Sequence, residues 1–186
     1  GDVVPIIGEN RVLVTRGLKF ISQKRPAGII KLLESAGFKA ENGISSDIIA
    51  FGVAPRINAV GRLDSAKLAV DLLISNDPDN IDMLVQELNT NNRIRQQMCE
   101  NVFLEAEKLV MKNYDPEKDK VLFEASPAWH PGIVGIVASK LTEKYYKPTF
   151  LASIDNNLLK CSARSVEGLN LYETLCDISE LFEKFG

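Results

Sequence analysis

One helical period dominates the chain, starting at Asp77-Pro78 and running to about Lys112. Ile81, Leu84, Val85 and Leu88 recur at the spacing of one helix face, and the stripe resumes at Met98, Cys99, Val102 and Phe103. Between the two halves, the same spacing puts Asn92 and Arg95 on the stripe, with Asn89 and Gln96 beside it. Polar side chains on an inward face cost free energy unless they find partners. Two readings stay open. The four residues satisfy a neighbouring segment or one another, or they form a polar strip along a cleft. An Asn/Gln/Arg set suits backbone and base contacts along a nucleic-acid strand.

The flanking segments set the fold class. Residues 10–23 read as a helix with Val12, Leu13, Leu18 and Ile21 as its stripe. Pro26 is a good first residue for a second helix carrying Ile29, Ile30, Leu32 and Leu33, and Gly37 is its natural stop. Residues 43–46 form a polar break. Ser46 is placed to cap a short helical or extended segment over 47–53, which Pro55 ends. "PRINAVGR" reads as a loop, and a helix begins near Ala66 with Ala69, Val70 and Leu73 on one face. Beyond the long helix, "NYDPEKD" is a solvated turn. Strands are then expected at 121–125, 149–154 and 158–163, the last two joined by a turn at Asp155-Asn156-Asn157. Helices are expected at 133–145 and 171–185. Strands interleaved with helices predict an α/β fold. The expected division is a connector over 1–44 and a main domain over 45–186.

Composition narrows the function classes. At 45% hydrophobic and 25% charged, the chain matches a globular protein, and no apolar run is long enough to span a bilayer. Cys99, Cys161 and Cys176 lack CxxC spacing and read as reduced thiols of a cytoplasmic protein, not as a zinc site. The net charge of -3 argues against indiscriminate nucleic-acid binding, which needs a broad basic surface. It leaves room for a groove lined by a few arginines. The single histidine excludes a histidine-rich metal site. The opening "GDVVPIIGENR" and the closing "LCDISELFEKFG" read as the edges of a piece of a longer protein.

Three further motifs could carry chemistry. "PRINAVGRLDSA" brackets Asn58 with Arg56 and Arg62, and arginine forks match phosphates bidentately. The plainer reading is a solvated loop. "KCSARSVEG" places Ser162, Arg164 and Ser165 at the end of a strand, where ligands of α/β sheets gather. Two hydroxyls and a fork could hold a terminal phosphate, or the segment is an ordinary polar loop. "PAWHPGIVGIVASKL" sets Trp129 and His130 before Pro131, the first residue of a helix carrying Gly132, Gly135, Ala138 and Ser139. Free amides at such a helix start favour an anion, to which His130 could add a hydrogen bond. Alternatively the glycines permit tight packing and His130 is a cap.

Taken together, "FGVAPRINAVGRL", "LNTNNRIRQ", "WHPGIVGIVASKL" and "SARS" resemble, in order and spacing, the RecJ-type single-strand-specific DNA exonucleases of the DHH phosphoesterase superfamily. The resemblance covers nearly the whole chain. It implies two α/β domains joined by a long helix, with this chain supplying connecting helices and most of the strand-gripping DHHA1 domain. It implies metal-dependent hydrolysis of single-stranded DNA from the 5′ end in DNA repair and recombination. Two divalent ions, manganese or magnesium, would be held mainly by the DHH domain outside this chain. Asp2 matches that domain's last metal-coordinating aspartate. Arg56, Asn58 and Arg62 match the strand-gripping loop, Gln96 matches a DNA-contacting position, and Asn92 shares its strip. Trp129 and His130 match a cleft wall, and Lys140 sits where the family often has Arg. Ser162 and Arg164, with Ser165 beside them, match a 5′-phosphate pocket. The chain alone is expected to lack nuclease activity. Single-stranded DNA is the expected partner, with a single-strand-binding protein or a helicase and dimerisation through an exposed helix face as further expectations. The alternatives are another DHH-superfamily phosphoesterase acting on short oligonucleotides, or a catalytically inactive nucleic-acid-binding relative.

Overall fold

The computed structural model describes residues 4–39, 41, 43–63, 66–156 and 158–186. They form two compact units, Gly1–Gln96 and Gln97–Gly186, and one helix runs through the division.

The first unit is helical: α1 (Gly8–Lys24), α2 (Ala27–Ser35), α3 (Ser46–Ile48), α4 (Ala54–Leu63), α5 (Lys67–Ile74) and the first part of α6 (Pro78–Asn113). Its core gathers Leu32 and Leu33 of α2, Val60 of α4, Leu72 of α5, and Ile81, Leu84 and Leu88 of α6, all nearly or fully buried. Gly28 lets α2 meet α5, because a Cβ there would lie 2.3 Å from the Leu72 carbonyl oxygen. Gly37 ends α2 as expected, at φ +84°.

Four expectations need correction here. "PRINAVGR" is not a loop but α4. Pro55 is the second residue of that helix and follows directly on a π-turn over Ile49–Val53, so its missing N–H falls where the α-helical ladder is already shifted. Ala59 and Val60, both fully buried, tie α4 to the core. The cap is Ser45, not Ser46, its hydroxyl accepting from the Ile48 amide at 3.3 Å. Helix α5 buries Ala69 and Leu72, while Val70 and Leu73 stay about half exposed. The stripe expected on α1 is not buried among the described residues, Val12 and Leu13 being exposed.

The second unit holds the rest of α6 and a sheet of β1 (Leu122–Ser126), β2 (Thr149–Asp155) and β3 (Leu158–Arg164), with α7 (Pro131–Tyr145) between β1 and β2. β1 and β2 pair in parallel, with Leu122 opposite Thr149. A parallel pair needs a crossover, and α7 supplies it, packing against β2 and β3. β2 and β3 pair antiparallel, with Thr149 opposite Arg164 and Leu151 opposite Ser162. Leu122, Leu151, Ile133, Val137 and Leu141 are nearly or fully buried. Asn113 of α6 donates to both Glu124 carboxylate oxygens, and Glu107 accepts from Lys144 and from the Tyr145 hydroxyl. The Lys144 ammonium therefore holds the Glu107 carboxyl below its usual range.

The expected final helix, 171–185, is also overextended. Helix α8 covers Leu171–Cys176, followed by a 3-10 turn at Ser179–Leu181. Tyr172, Leu181 and Phe182 are exposed, and a short helix gains most of its stability from a buried face. None of the three cysteines forms a disulfide, and Cys99 is buried.

Candidate nucleic-acid interface

The unusual element of the first unit is a π-turn over Ile49–Val53, between α3 and α4. Such turns insert one residue into a helix and often occur at functional sites. Here the Ala54 amide reaches back to the Ile49 carbonyl. The turn buries Gly52 and Val53 and leaves Phe51 75% exposed. Glycine is needed at 52, since a Cβ would sit 2.9 Å from the Phe38 ring.

Arg56 fastens this turn. Its Nη1 donates to the Gly52 carbonyl at 2.7 Å and its Nε to Asn89 Oδ1 at 2.7 Å. Asn89 Nδ2 donates to Ser35 Oγ at 2.9 Å, and that hydroxyl donates to the Leu32 carbonyl at 2.8 Å. The relay links α4, α6 and α2. Partial burial lowers the Arg56 pKa from its ordinary value by desolvation. Asn58 and Arg62 lie one helical turn apart on the exposed side of α4. The three residues expected as one loop set are therefore divided: Arg56 faces inward to Asn89, while Asn58 and Arg62 face outward.

Both readings of the α6 polar strip hold in part. Asn92 is 5% exposed, and its Oδ1 accepts from Arg95 Nη2 at 2.8 Å. Asn92, Arg95 and Gln96 also line a cleft of about 780 Å³, with Phe38, Phe51 and Arg56 across it. Arg93, which the sequence did not single out, lines it too, and among the described residues no acidic side chain does. Arg95 Nε is buried without a hydrogen-bond partner.

In the second unit, Ser162 and Arg164 converge on α7. A Cβ on Gly135 would lie 3.2 Å from Arg164 Nη2 and 3.3 Å from Ser162 Oγ. Ser139, one turn along, accepts from Arg164 Nε at 3.0 Å and donates to the Gly135 carbonyl at 3.2 Å. Arg164 Nη1 donates to the Ala163 carbonyl at 2.7 Å. Ser165 stands apart: its hydroxyl donates to the Leu169 carbonyl at 2.8 Å, within its own loop. Ser139 is missing from the sequence-based set of phosphate residues, although its spacing of four from Gly135 puts both on one face of a helix.

Trp129 and His130 have structural partners. Trp129 is 2% exposed, and its Nε1 donates to Glu105 Oε2 at 3.0 Å. His130 is the N-cap of α7, its Nδ1 accepting from the Gly132 amide at 3.1 Å. An amide that the sequence left free for an anion is thus already bonded. The Lys140 ammonium lies 5.7 Å from the centre of the Phe103 ring, a cation–π contact. Asp2 lies outside the described residues. Among the described residues no group of three His, Cys, Asp or Glu side chains could hold a metal ion, so they do not by themselves build a metal centre.

No protein-family model matches the chain. The single-stranded-DNA-specific exonuclease RecJ of Bacillus subtilis is 35% identical over 187 residues, covering 100% of this chain and 23% of that protein. RecJ of Escherichia coli K12 is 34% identical over 194 residues, covering 100% of this chain and 33% of that protein. The chain thus spans less than two thirds of the curated relatives' length. A crystal structure of RecJ from Thermus thermophilus in complex with Mn2+ superposes with a TM-score of 0.82 at 32% identity, over 99% of this chain and 26% of that one. A structure of exonuclease RecJ bound to manganese matches with a TM-score of 0.75 at 33% identity, over 99% of this chain and 44% of that one. In sequence and in fold, over its whole length, the chain belongs to the RecJ-type family as the counterpart of one segment of those longer proteins.

Proposed function

We propose that the chain is the strand-binding part of a metal-dependent exonuclease that digests single-stranded DNA from its 5′ end in repair and recombination. The whole-length match to RecJ proteins in both sequence and fold carries this reading. The solved neighbours are complexes with Mn2+ or Mg2+. A divalent ion is therefore the cofactor of the proposed enzyme, held by residues other than those described here, with Asp2 as the candidate contributor from this chain. Such an ion would supply Lewis-acid activation of water. The chain's own residues bind and orient the strand: Asn58 and Arg62 from the outer side of α4, the cleft of the first unit, and Ser162 with Arg164 at the 5′ phosphate. Trp129 and His130 act indirectly, by seating the start of α7. No helix among the described residues is long and apolar enough to cross a membrane. A cytoplasmic location, and a single-strand-binding protein or a helicase as partner, belong to the same proposal.

The test is binding of a labelled single-stranded oligonucleotide and of the matching blunt duplex. Single-strand binding that weakens as salt rises, with the duplex held far more weakly, is expected. Equal affinity for the two refutes the reading. Incubation with manganese leaves the strand intact. In the same assay, Arg62→Ala weakens phosphorylated and unphosphorylated strands alike and lowers the slope of log affinity against log salt by about 1.

A further inference from the structure

We propose that Phe51 is a stacking platform for one unstacked base of a single-stranded nucleic acid, whose adjoining phosphates are drawn by the arginines of the cleft beside it. The proposal rests on the single-strand reading above and names a contact that this reading leaves open.

Phe51, 75% exposed, gains little from the core, and what sets it apart from other exposed apolar residues is its place at a cleft lined by arginines. The local structure holds the ring outward. The π-turn inserts one residue, and Gly52 lets the next position pack on Phe38 while the Phe51 ring points away. Arg56 locks that turn through the Gly52 carbonyl and is itself held by Asn89. Arg56 is therefore a positioning residue for the ring, and two short hydrogen bonds fix it.

The cleft says what the ring meets. Phe51 shares its lining with Arg56, Arg93 and Arg95, and no carboxylate is among the lining residues. Three cations with no anion among the described lining residues, in a chain of net charge -3, favour an anionic ligand over an apolar or basic protein surface. Arg95 is held at the cleft by its Nη2 bond to Asn92 Oδ1, which fixes that guanidinium among the lining residues. Asn92 and Gln96 add amides that can serve a base edge or a sugar. Guanidinium groups for phosphate beside an aromatic face for a base are the two halves of single-strand recognition. A nucleobase also offers a π-face whatever its identity, so the site tolerates any sequence.

The experiment measures binding of the 186-residue chain, at low salt, to a labelled oligodeoxynucleotide and to a strand of equal length made of abasic units. The second keeps the phosphates and lacks the bases. Phe51→Ala weakens the ordinary strand about 10-fold and leaves abasic binding unchanged, while Phe51→Trp retains the affinity. On adding the ordinary strand, but not the abasic one, the indole introduced by Phe51→Trp is quenched. That second readout stands even if the alanine variant folds poorly. Two results overturn the proposal while sparing the single-strand reading. One is unchanged affinity of Phe51→Ala for the ordinary strand. The other is an equal loss on both strands with no quenching, which points to a protein surface as the partner of Phe51. If the unaltered chain binds neither strand, the single-strand reading falls and takes this proposal with it.

Discussion

Trp129→Ala lowers the stability of the second unit by about 3–5 kcal/mol, the usual cost of truncating a large aromatic side chain inside a core. Trp129 is 2% exposed and is among the largest side chains sealed from solvent. Its ring sits in the loop between β1 and α7, and its N–H is taken by Glu105 of α6. The substitution leaves a cavity where the strand-to-helix connection is seated and also removes that hydrogen bond. Trp129→Phe separates the two effects. It keeps most of the apolar contact and loses the hydrogen bond, at about 1 kcal/mol. Urea unfolding followed by far-ultraviolet circular dichroism is the measurement, because Trp129 is the chain's only tryptophan and the variants lose its fluorescence. The single indole serves the unaltered chain instead, as a probe that reports the second unit alone. A loss below about 1 kcal/mol for Trp129→Ala would mean that the ring is not seated in the core. It would then be free to form the cleft wall that the sequence suggests.

The behaviour of Trp129 also shows why some of the molecule is legible in the sequence and some is not. The long helix α6 reads correctly because its period persists over many turns. Helix α7 reads correctly because Pro131 marks its start and Tyr145 closes its period. Each strand is legible to within a residue at either end, since alternating and buried runs are local signals. Helix α4 is not legible, because Pro55 and Gly61 look like punctuation. What decides that segment is tertiary: Ala59 and Val60 are drawn into a core built by distant parts of the chain. The π-turn has no local signature at all, so the exposure of Phe51 is invisible without coordinates. Helix α5 is too short for its period to fix one face, and two phases fit the same eight residues.

Sequence spacing treats Arg56, Asn58 and Arg62 as neighbours, whereas the helix turns Arg56 away from the other two. The meeting of Gly135, Ser139, Ser162 and Arg164 is illegible for the opposite reason. It depends on the β2–β3 register and on the path of α7 over the sheet. The order of motifs along the chain is legible throughout, and that order carries the resemblance to RecJ proteins.

Arg164→Ala weakens binding of strands with a 5′ phosphate more than strands with a 5′ hydroxyl, by about 1–3 kcal/mol for a charge-assisted hydrogen bond. The expectation follows from how the guanidinium is held. Nε is bonded to Ser139 and Nη1 to the Ala163 carbonyl, which fixes the plane of the fork. Nη2 is left near the bare Cα of Gly135, beside the Ser162 hydroxyl. A glycine there keeps the space beside two donors clear of side-chain atoms. A terminal phosphate offers more acceptor oxygens and more charge than a hydroxyl, so it gains more from a fork fixed in advance. The competing account is that Arg164 only latches β3 to α7. A latch is needed equally by every substrate, so its loss reduces stability and lowers both affinities by the same factor. The ratio of affinities for the two strand ends, measured alongside a melt, distinguishes the accounts. Arg164→Lys sharpens the comparison, since it keeps the charge and loses the planar fork. If a fork fixed by Ser139 does the recognition, the lysine variant discriminates poorly. If positive charge alone does it, lysine restores the ratio. A ratio unchanged in Arg164→Ala sinks the assignment of a 5′-phosphate site to Ser162 and Arg164.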